Sequence, residues 1–167
     1  MAVDEAVIAR RRALGLDGFD EVWEGEYHVA PHHHSDHGII GREIAFALRP
    51  YEQAAGLIGS EPFNLGDPRD FRVPDGGYFR ARPGTLYVET AAVVVEIVSP
   101  DDETFSKLPF YAAHNVEEAL VVLPDDRRVD CYDLTSGSAV QAAQSKVLGI
   151  AMATLSAAIS WPGTASS

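Results

Sequence analysis

VVVEIVSPDDETFSKLPFY, residues 93–111, combines a buried-strand pattern with a carboxylate in its middle. The aliphatic residues between Val93 and Val98 predict a strand that is buried on both faces. Glu96 interrupts this run, and burying an ionised carboxylate is costly unless another group offsets its charge. The sequence therefore raises the question of which group pairs with Glu96.

Two residues outside the strand are candidates for a shared site with Glu96. Asp75 lies in RVPDGGYF, residues 72–79, and Lys107 follows Glu96 by eleven residues. Two carboxylates on neighbouring strands can hold a magnesium ion, which accepts one or two protein carboxylates and keeps room for water and phosphate. A lysine beside them can orient the attacking water or neutralise charge on the phosphate.

The segment after the strand is predicted to be a helix that carries Lys107. Ser106 is a possible N-cap, which would place Lys107 and Pro109 in the first turn, where proline is tolerated. Lys107, Tyr111 and His114 follow the i, i+4, i+7 spacing and are therefore expected on one face. That face could look toward the strand end that carries Glu96.

Length and charge limit the functional classes. The 167 residues predict one domain over residues 1–161, followed by a disordered tail at 162–167. A net charge of −12 argues against broad nonspecific adhesion to nucleic acid or anionic membrane, although a local basic site stays open. The lone cysteine, the absence of a secretory signal pattern and the lack of a long apolar run predict a cytoplasmic protein without a membrane span.

The pattern of elements predicts an α/β fold with a central mixed β-sheet flanked by helices. The expected helices cover residues 4–14, 36–54 and the segment that Ser106 could cap, and a strand or hairpin is expected at 19–29. Strands are expected within 57–65, 71–80, 91–98, 119–123 and 128–134. Residues 147–161 are compatible with a strand, a helix or both in succession.

An ordered set of motifs resembles a known family. EVWEGEYHVAP (21–31), HGIIGREIAFAL (37–48), RVPDGGYF (72–79), the stretch at 93–111 and NVEEALVVLPDDRRVDCYDL (115–134) follow one another along the chain. Together they resemble the Uma-two-like restriction endonucleases of the PD-(D/E)XK nuclease superfamily, over roughly residues 21–155. The resemblance implies a restriction-endonuclease-like fold and a magnesium-dependent nuclease, with manganese as a substitute ion.

The resemblance also implies roles for individual residues. Asp75 and Glu96 would bind the metal, with the backbone carbonyl of Ile97 as a third ligand, and Lys107 would complete the catalytic set. The usual superfamily motif places its lysine two residues after the second acid, where this chain has Val98. Four further residues are candidates for accessory roles, and the first two are alternatives for one early acid: Glu24, Glu26, His37 and Tyr111.

Two other functional classes remain open from the sequence. The acidic net charge is compatible with a nuclease-like domain that has lost catalysis and serves as a binding or assembly module. A histidine-based zinc hydrolase would use the histidines between His32 and His37, although zinc sites favour histidines on a rigid scaffold. The leading hypothesis is a nuclease that acts on nucleic acid, with DNA as the expected substrate, and a homodimer that cuts both strands.

Overall fold

A computed structural model describes residues 4–30, 35–100 and 103–162. Its helices and strands, numbered in chain order, are α1 (Glu5–Ala13), β1 (Glu21–Trp23), β2 (Glu26–His28), α2 (Ser35–Ala54), β3 (Ile58–Ser60), β4 (Asn64–Asp67), β5 (Asp70–Arg72), β6 (Gly76–Phe79), β7 (Tyr87–Val88), β8 (Val93–Ile97), α3 (Thr104–Ala113), β9 (Glu118–Leu123), β10 (Arg128–Asp133), β11 (Val140–Ala142), β12 (Gln144–Ser145), β13 (Ile150–Ala151) and α4 (Met152–Ala158). No helix in the described ranges has the length and apolar character that a membrane crossing requires.

A six-stranded sheet forms the centre of the fold. Its strand order is β11-β10-β9-β8-β6-β3, in which β8 and β9 run parallel and the other neighbours run antiparallel. All five residues of β8 are buried, as its sequence predicts. The expected α/β fold, with a central mixed sheet and flanking helices, is confirmed.

The two faces of this sheet pack against different elements. Val93, Val95 and Ile97 of β8 belong to the apolar cluster formed with α2 and α4. Val94 belongs to the second cluster, which includes Leu108 and other residues of α3. Because side chains alternate along a strand, Glu96 lies on the same face as Val94 and points toward α3. The strand period thus decides which helix can supply a partner for Glu96.

A five-stranded sheet, in the order β2-β1-β5-β4-β7, contributes to the cluster on the α3 side. The hairpin predicted at 19–29 is present, with Glu24 and Gly25 in its turn at positive φ. Within this sheet, Val22 of β1 pairs with Phe71 of β5. This pairing brings β1 beside the segment that leads to Asp75.

Several sequence predictions need correction or stay untested. Helix α3 begins at Thr104 after an N-cap at Glu103, so Ser106 does not cap it, and Pro109 falls in its second turn rather than its first. The apolar end of the chain forms β13 followed by α4. Of the tail predicted at 162–167, residues 163–167 lie outside the described residues. The single-domain assignment stays a prediction.

Glu118, at the start of β9, is a second buried carboxylate and fastens the segment after β11. Its Oε2 accepts from the Ser145 hydroxyl, and its Oε1 accepts from the backbone N–H of Lys146 at 2.7 Å and of Val147 at 3.3 Å. Every one of these donors is uncharged, so hydrogen bonds from neutral groups hold the carboxylate in place. The residue serves the fold rather than a reaction.

We expect Glu118→Gln to destabilise the protein by about 1–3 kcal/mol, because the amide group would face backbone donors and leave at least one of them unpaired. Urea denaturation followed by circular dichroism measures the change. Glu89→Gln, at an exposed position, is the matched control and should unfold like the wild type. Equal unfolding midpoints for the Glu118 variant and the wild type would contradict this role.

Candidate active site

Asp75 and Glu96 lie side by side on neighbouring strands. Gly76 of β6 pairs with Val95 of β8, so Asp75 stands opposite Glu96 in the antiparallel register. The Asp75 Oδ2 accepts a hydrogen bond of 2.7 Å from the backbone N–H of Ile97. The three residues that the family resemblance assigns to a metal are therefore adjacent in space.

Helix α3 supplies both partners of the Glu96 carboxylate, which is only 3% exposed. Lys107 Nζ lies 3.2 Å from Oε1 and 3.3 Å from Oε2, and the Tyr111 hydroxyl donates to Oε1. The expected i, i+4 pair thus reaches the strand end. His114, the third residue of that pattern, instead stacks on the Phe110 ring and does not join the cluster.

A third carboxylate, Glu21 of β1, completes the surroundings of Lys107. Its Oε1 lies 2.9 Å from Lys107 Nζ and accepts a 2.7 Å hydrogen bond from the Val73 N–H. Its Oε2 accepts from the Trp23 indole N–H at 2.6 Å. The carboxylates of Glu21 and Glu96 therefore both contact one ammonium group, and Asp75 stands beside Glu96 as a third acid of the cluster.

His37, in the first turn of α2, holds the other side of Asp75. Its Nε2 lies 2.8 Å from Asp75 Oδ1, and its Nδ1 lies 3.4 Å from the Ser99 hydroxyl. With one oxygen held by His37 and the other by the Ile97 N–H, the orientation of the Asp75 carboxylate is fixed. His37 is therefore placed to position the acid that it contacts.

The early acids expected from the hairpin do not reach this cluster. Glu24 and Glu26 are exposed and line a separate cavity beside α3, whereas Glu21 occupies the place beside Lys107. The alternation of side chains along a strand could have identified Glu21, because Glu21 lies two residues before Trp23 and therefore shares the face of Trp23. The zinc hypothesis falls largely on His32–His34, which lie outside the described residues.

An arginine clamps the hairpin to helix α3. The Arg72 guanidinium carbon lies 4.3 Å from the centre of the Trp23 ring and 4.0 Å from the centre of the Phe110 ring. Its Nη1 donates to the Val22 carbonyl and to Asp70 Oδ1, at 2.9 Å in each case. Because a guanidinium between two ring faces is attracted to both, Arg72 joins β1 to α3.

The contacts of Arg72 also affect the carboxylate cluster, because Trp23 connects Arg72 to Glu21. The Trp23 ring packs on Arg72 while its N–H binds Glu21, so the clamp fixes the acid that contacts Lys107. Buried Arg72 is therefore structural, and Arg80 is bound to the Glu117 carboxylate at 2.7 and 2.8 Å. Neither arginine presents an unengaged charge to a phosphate.

Burial and charge shift the pKa values in the cluster. Removal from water raises the pKa of Glu96 to about 8, and the nearby charges of Asp75 and Glu21 act in the same direction, while Lys107 and Tyr111 oppose the shift. Burial alone would lower the pKa of Lys107, but the carboxylates of Glu96 and Glu21 raise it well above its ordinary value. Lys107 therefore stays protonated at neutral pH.

Comparison with known proteins places this arrangement in a family. The family model for Uma2, described as "Putative restriction endonuclease", matches residues 19–159, which include the whole cluster. The chain belongs to the Uma2 family. This membership confirms the resemblance inferred from the ordered motifs.

A solved structure supports the same fold assignment. The chain is similar to a protein from Anabaena variabilis described as a "putative nuclease belonging to DUF820", with a TM-score of 0.68 and 14% sequence identity. The match covers 83% of this chain and 90% of the other. At this identity the likeness establishes the fold alone. No curated protein matches the sequence.

The donor set of this Uma2 protein fits a hard divalent cation. Its candidate ligands are all oxygens, and the cluster holds three carboxylates but one ammonium, which contacts Glu21 and Glu96. Across residues 4–30, 35–100 and 103–162, no three acidic, histidine or cysteine side chains converge to form a ligand shell on their own. Magnesium needs only one or two carboxylates and completes its shell with water, so two acids suffice.

The raised pKa of Glu96 predicts a pH-dependent stability difference. A carboxyl whose pKa rises from 4.5 to about 8 on folding stabilises the folded state below pH 4.5 and loses that contribution as pH rises through about 8. Glu96→Gln cannot ionise, and its amide oxygen can still accept from Tyr111. We expect the variant to gain stability over the wild type as pH rises, by about 1–4 kcal/mol near pH 8.

Thermal unfolding of both proteins in the presence of EDTA, across that pH range, measures the difference. The charged groups that face Glu96, namely Lys107, Asp75 and Glu21, are retained in both proteins. A stability difference that does not change with pH would contradict the raised pKa of Glu96.

Proposed function

We propose that this protein is a magnesium-dependent nuclease that hydrolyses phosphodiester bonds, with manganese able to replace magnesium. The observation that carries the proposal is the convergence of Asp75, Glu96 and Lys107 on one cluster, from the residue before β6, from β8 and from α3. Lysine beside paired acids is the arrangement that the family resemblance implies. Membership of the Uma2 family supports the same reaction class.

The metal ligands in this proposal are Asp75, Glu96 and the backbone carbonyl of Ile97. A cation held there would lower the pKa of a bound water and stabilise the negative charge that develops on the phosphate. His37 and the Ile97 N–H orient the Asp75 carboxylate, so this ligand is in place before the ion arrives. Tyr111 does the same for Glu96.

Lys107 acts in this proposal as a fixed positive charge. Because its pKa is raised, it is a hydrogen-bond donor at neutral pH and does not serve as a general base. It can donate to the attacking water or to a phosphate oxygen while Glu21 retains its position. This assigns to Glu21 the role of holding the lysine.

The substrate and the quaternary structure do not follow from the metal chemistry and are proposed separately. We propose nucleic acid as the partner, with DNA as the expected substrate, in the cytoplasm. Cutting both strands of a duplex needs two sites, and a homodimer would supply them. Sedimentation velocity of the purified protein determines whether two copies associate.

Three substitutions test the proposal on labelled nucleic acid with magnesium. Asp75→Asn and Glu96→Gln should abolish cleavage, because each weakens the metal site. Lys107→Met should lower the rate by about a hundredfold or more, the size of effect seen when one group that stabilises the transition-state charge is lost. Product formation on DNA and RNA oligonucleotides, single-stranded and duplex, measures the rates.

Glu89→Gln is the matched control, since it removes an exposed carboxylate elsewhere and should cleave like the wild type. Undiminished cleavage by the Asp75 or Glu96 variant would remove the proposal. If the wild type neither cleaves any nucleic acid nor releases heat on magnesium titration, the protein is instead a nuclease-like module that binds or assembles without catalysis.

A further inference from the structure

A groove of about 760 Å³ adjoins the Asp75 side of the cluster. It runs between helix α2 and the strands β3 and β6, and we call it the α2 groove. Its volume falls in the range of about 300–1,000 Å³ that is typical of small-ligand sites. Its lining includes Gly41, Arg42, Ala45, Phe46, Arg49 and Asp75.

The floor of the α2 groove is kept open by small residues. Gly41 faces Ile97, and a Cβ at that glycine would already lie 3.4 Å from the Ile97 side chain. Ala45 follows one helical turn later and is exposed in the groove. Larger residues at these positions would fill the space in front of Asp75. The helix therefore presents a flat, mostly apolar surface beside a candidate metal acid.

An aromatic ring and two arginines stand along the same helix. Phe46 is 66% exposed, an unusual amount for a phenylalanine, and the Arg42 guanidinium carbon lies 5.3 Å from the centre of its ring. Arg42 has no carboxylate partner within the described part of the chain. Arg49 is exposed as well and shares its charge with Glu52 at 2.6 Å. The groove thus combines ring surface with positive charge.

This combination matches the two chemical halves of a nucleotide. The nucleobase is a flat ring that stacks on aromatic and guanidinium faces, and the phosphate of the nucleotide is attracted to arginine. We propose that the α2 groove binds an unpaired nucleotide beside the scissile phosphate. The substrate is then single-stranded or locally unpaired nucleic acid. The placement of the scissile phosphate rests on the proposed function, whereas the binding of the unpaired nucleotide does not.

A duplex fits the groove less well for two reasons. The faces of its bases are covered by stacking, so Phe46 would have no exposed ring to contact. Affinity for a duplex also depends on many phosphate contacts, and in this chain of net charge −12 the described lining of the groove offers two arginines. Acids at the groove, Glu61 and Asp75, would repel further phosphates. One unpaired nucleotide can both stack its base on the Phe46 ring and place its phosphate near the arginines.

The test measures binding without catalysis, in EDTA, by fluorescence anisotropy with a labelled single-stranded oligonucleotide and its blunt duplex. Ala45→Trp fills the groove from an exposed helix position, and Arg42→Ala removes its unpaired charge. We expect the wild type to prefer the single strand by about tenfold or more, and each variant to lose about tenfold in single-strand affinity, the effect of losing one stacked base.

Matched controls separate the groove from general changes in bulk and charge. Gln53→Trp places the same side chain on an exposed α2 position outside the groove, and Arg82→Ala removes an exposed arginine elsewhere. Both should bind like the wild type. Equal affinity for both probes, no detectable binding, or an equal loss in the controls would overturn the proposal.

Sedimentation of the same proteins tests the alternative that a second copy covers the groove. A wild-type dimer that Ala45→Trp converts to a monomer would overturn the assignment to nucleic acid. Because these measurements need no cleavage, absence of nuclease activity would remove the proposed function and leave the binding proposal standing.

Discussion

The contact between the Glu96 carboxyl group and the Lys107 ammonium is the interaction on which the site depends. Strand β8 carries Glu96 to the face that α3 covers, and α3 returns both Lys107 and Tyr111 to the carboxylate. One ammonium group cannot neutralise the cluster, because Glu21 and Asp75 are two further acids beside the pair. Ionising all three acids is costly for folding alone, as the raised pKa of Glu96 shows, and a bound cation would offset that cost.

Glu118 is a buried glutamate whose contacts indicate a structural role, and it provides a comparison for Glu96. It begins the strand next to β8 and is as deeply buried as Glu96. Its donors are a hydroxyl and two backbone N–H groups, and no second carboxylate is among its hydrogen-bond partners. The two residues share a sheet, yet one is fully satisfied and the other stands in an acidic cluster. The surroundings, rather than burial, distinguish a candidate site.

The amino-acid sequence predicted the parts of the site that depend on residues close together in the chain. It did not predict the parts that depend on contacts between segments distant in sequence. Apolar residues around Glu96 predicted β8, and the i, i+4 spacing correctly placed Lys107 and Tyr111 together. Asp75 was a candidate from its own motif, but a Pro-Asp pair alone more often indicates a turn, and the family resemblance strengthened the assignment. Glu21 was missed because its place beside Lys107 depends on the packing of a second sheet. The α2 groove was also missed, because a helix and strands distant in sequence form its walls.

A crystal soaked with manganese would show whether these acids bind a metal, because the anomalous signal of the ion locates it without any assay of activity. We expect one ion bound to the carboxylates of Asp75 and Glu96 beside the Ile97 carbonyl, with Lys107 still next to Glu21. An ion bound elsewhere, or none at a concentration that saturates exposed carboxylates, would contradict this expectation.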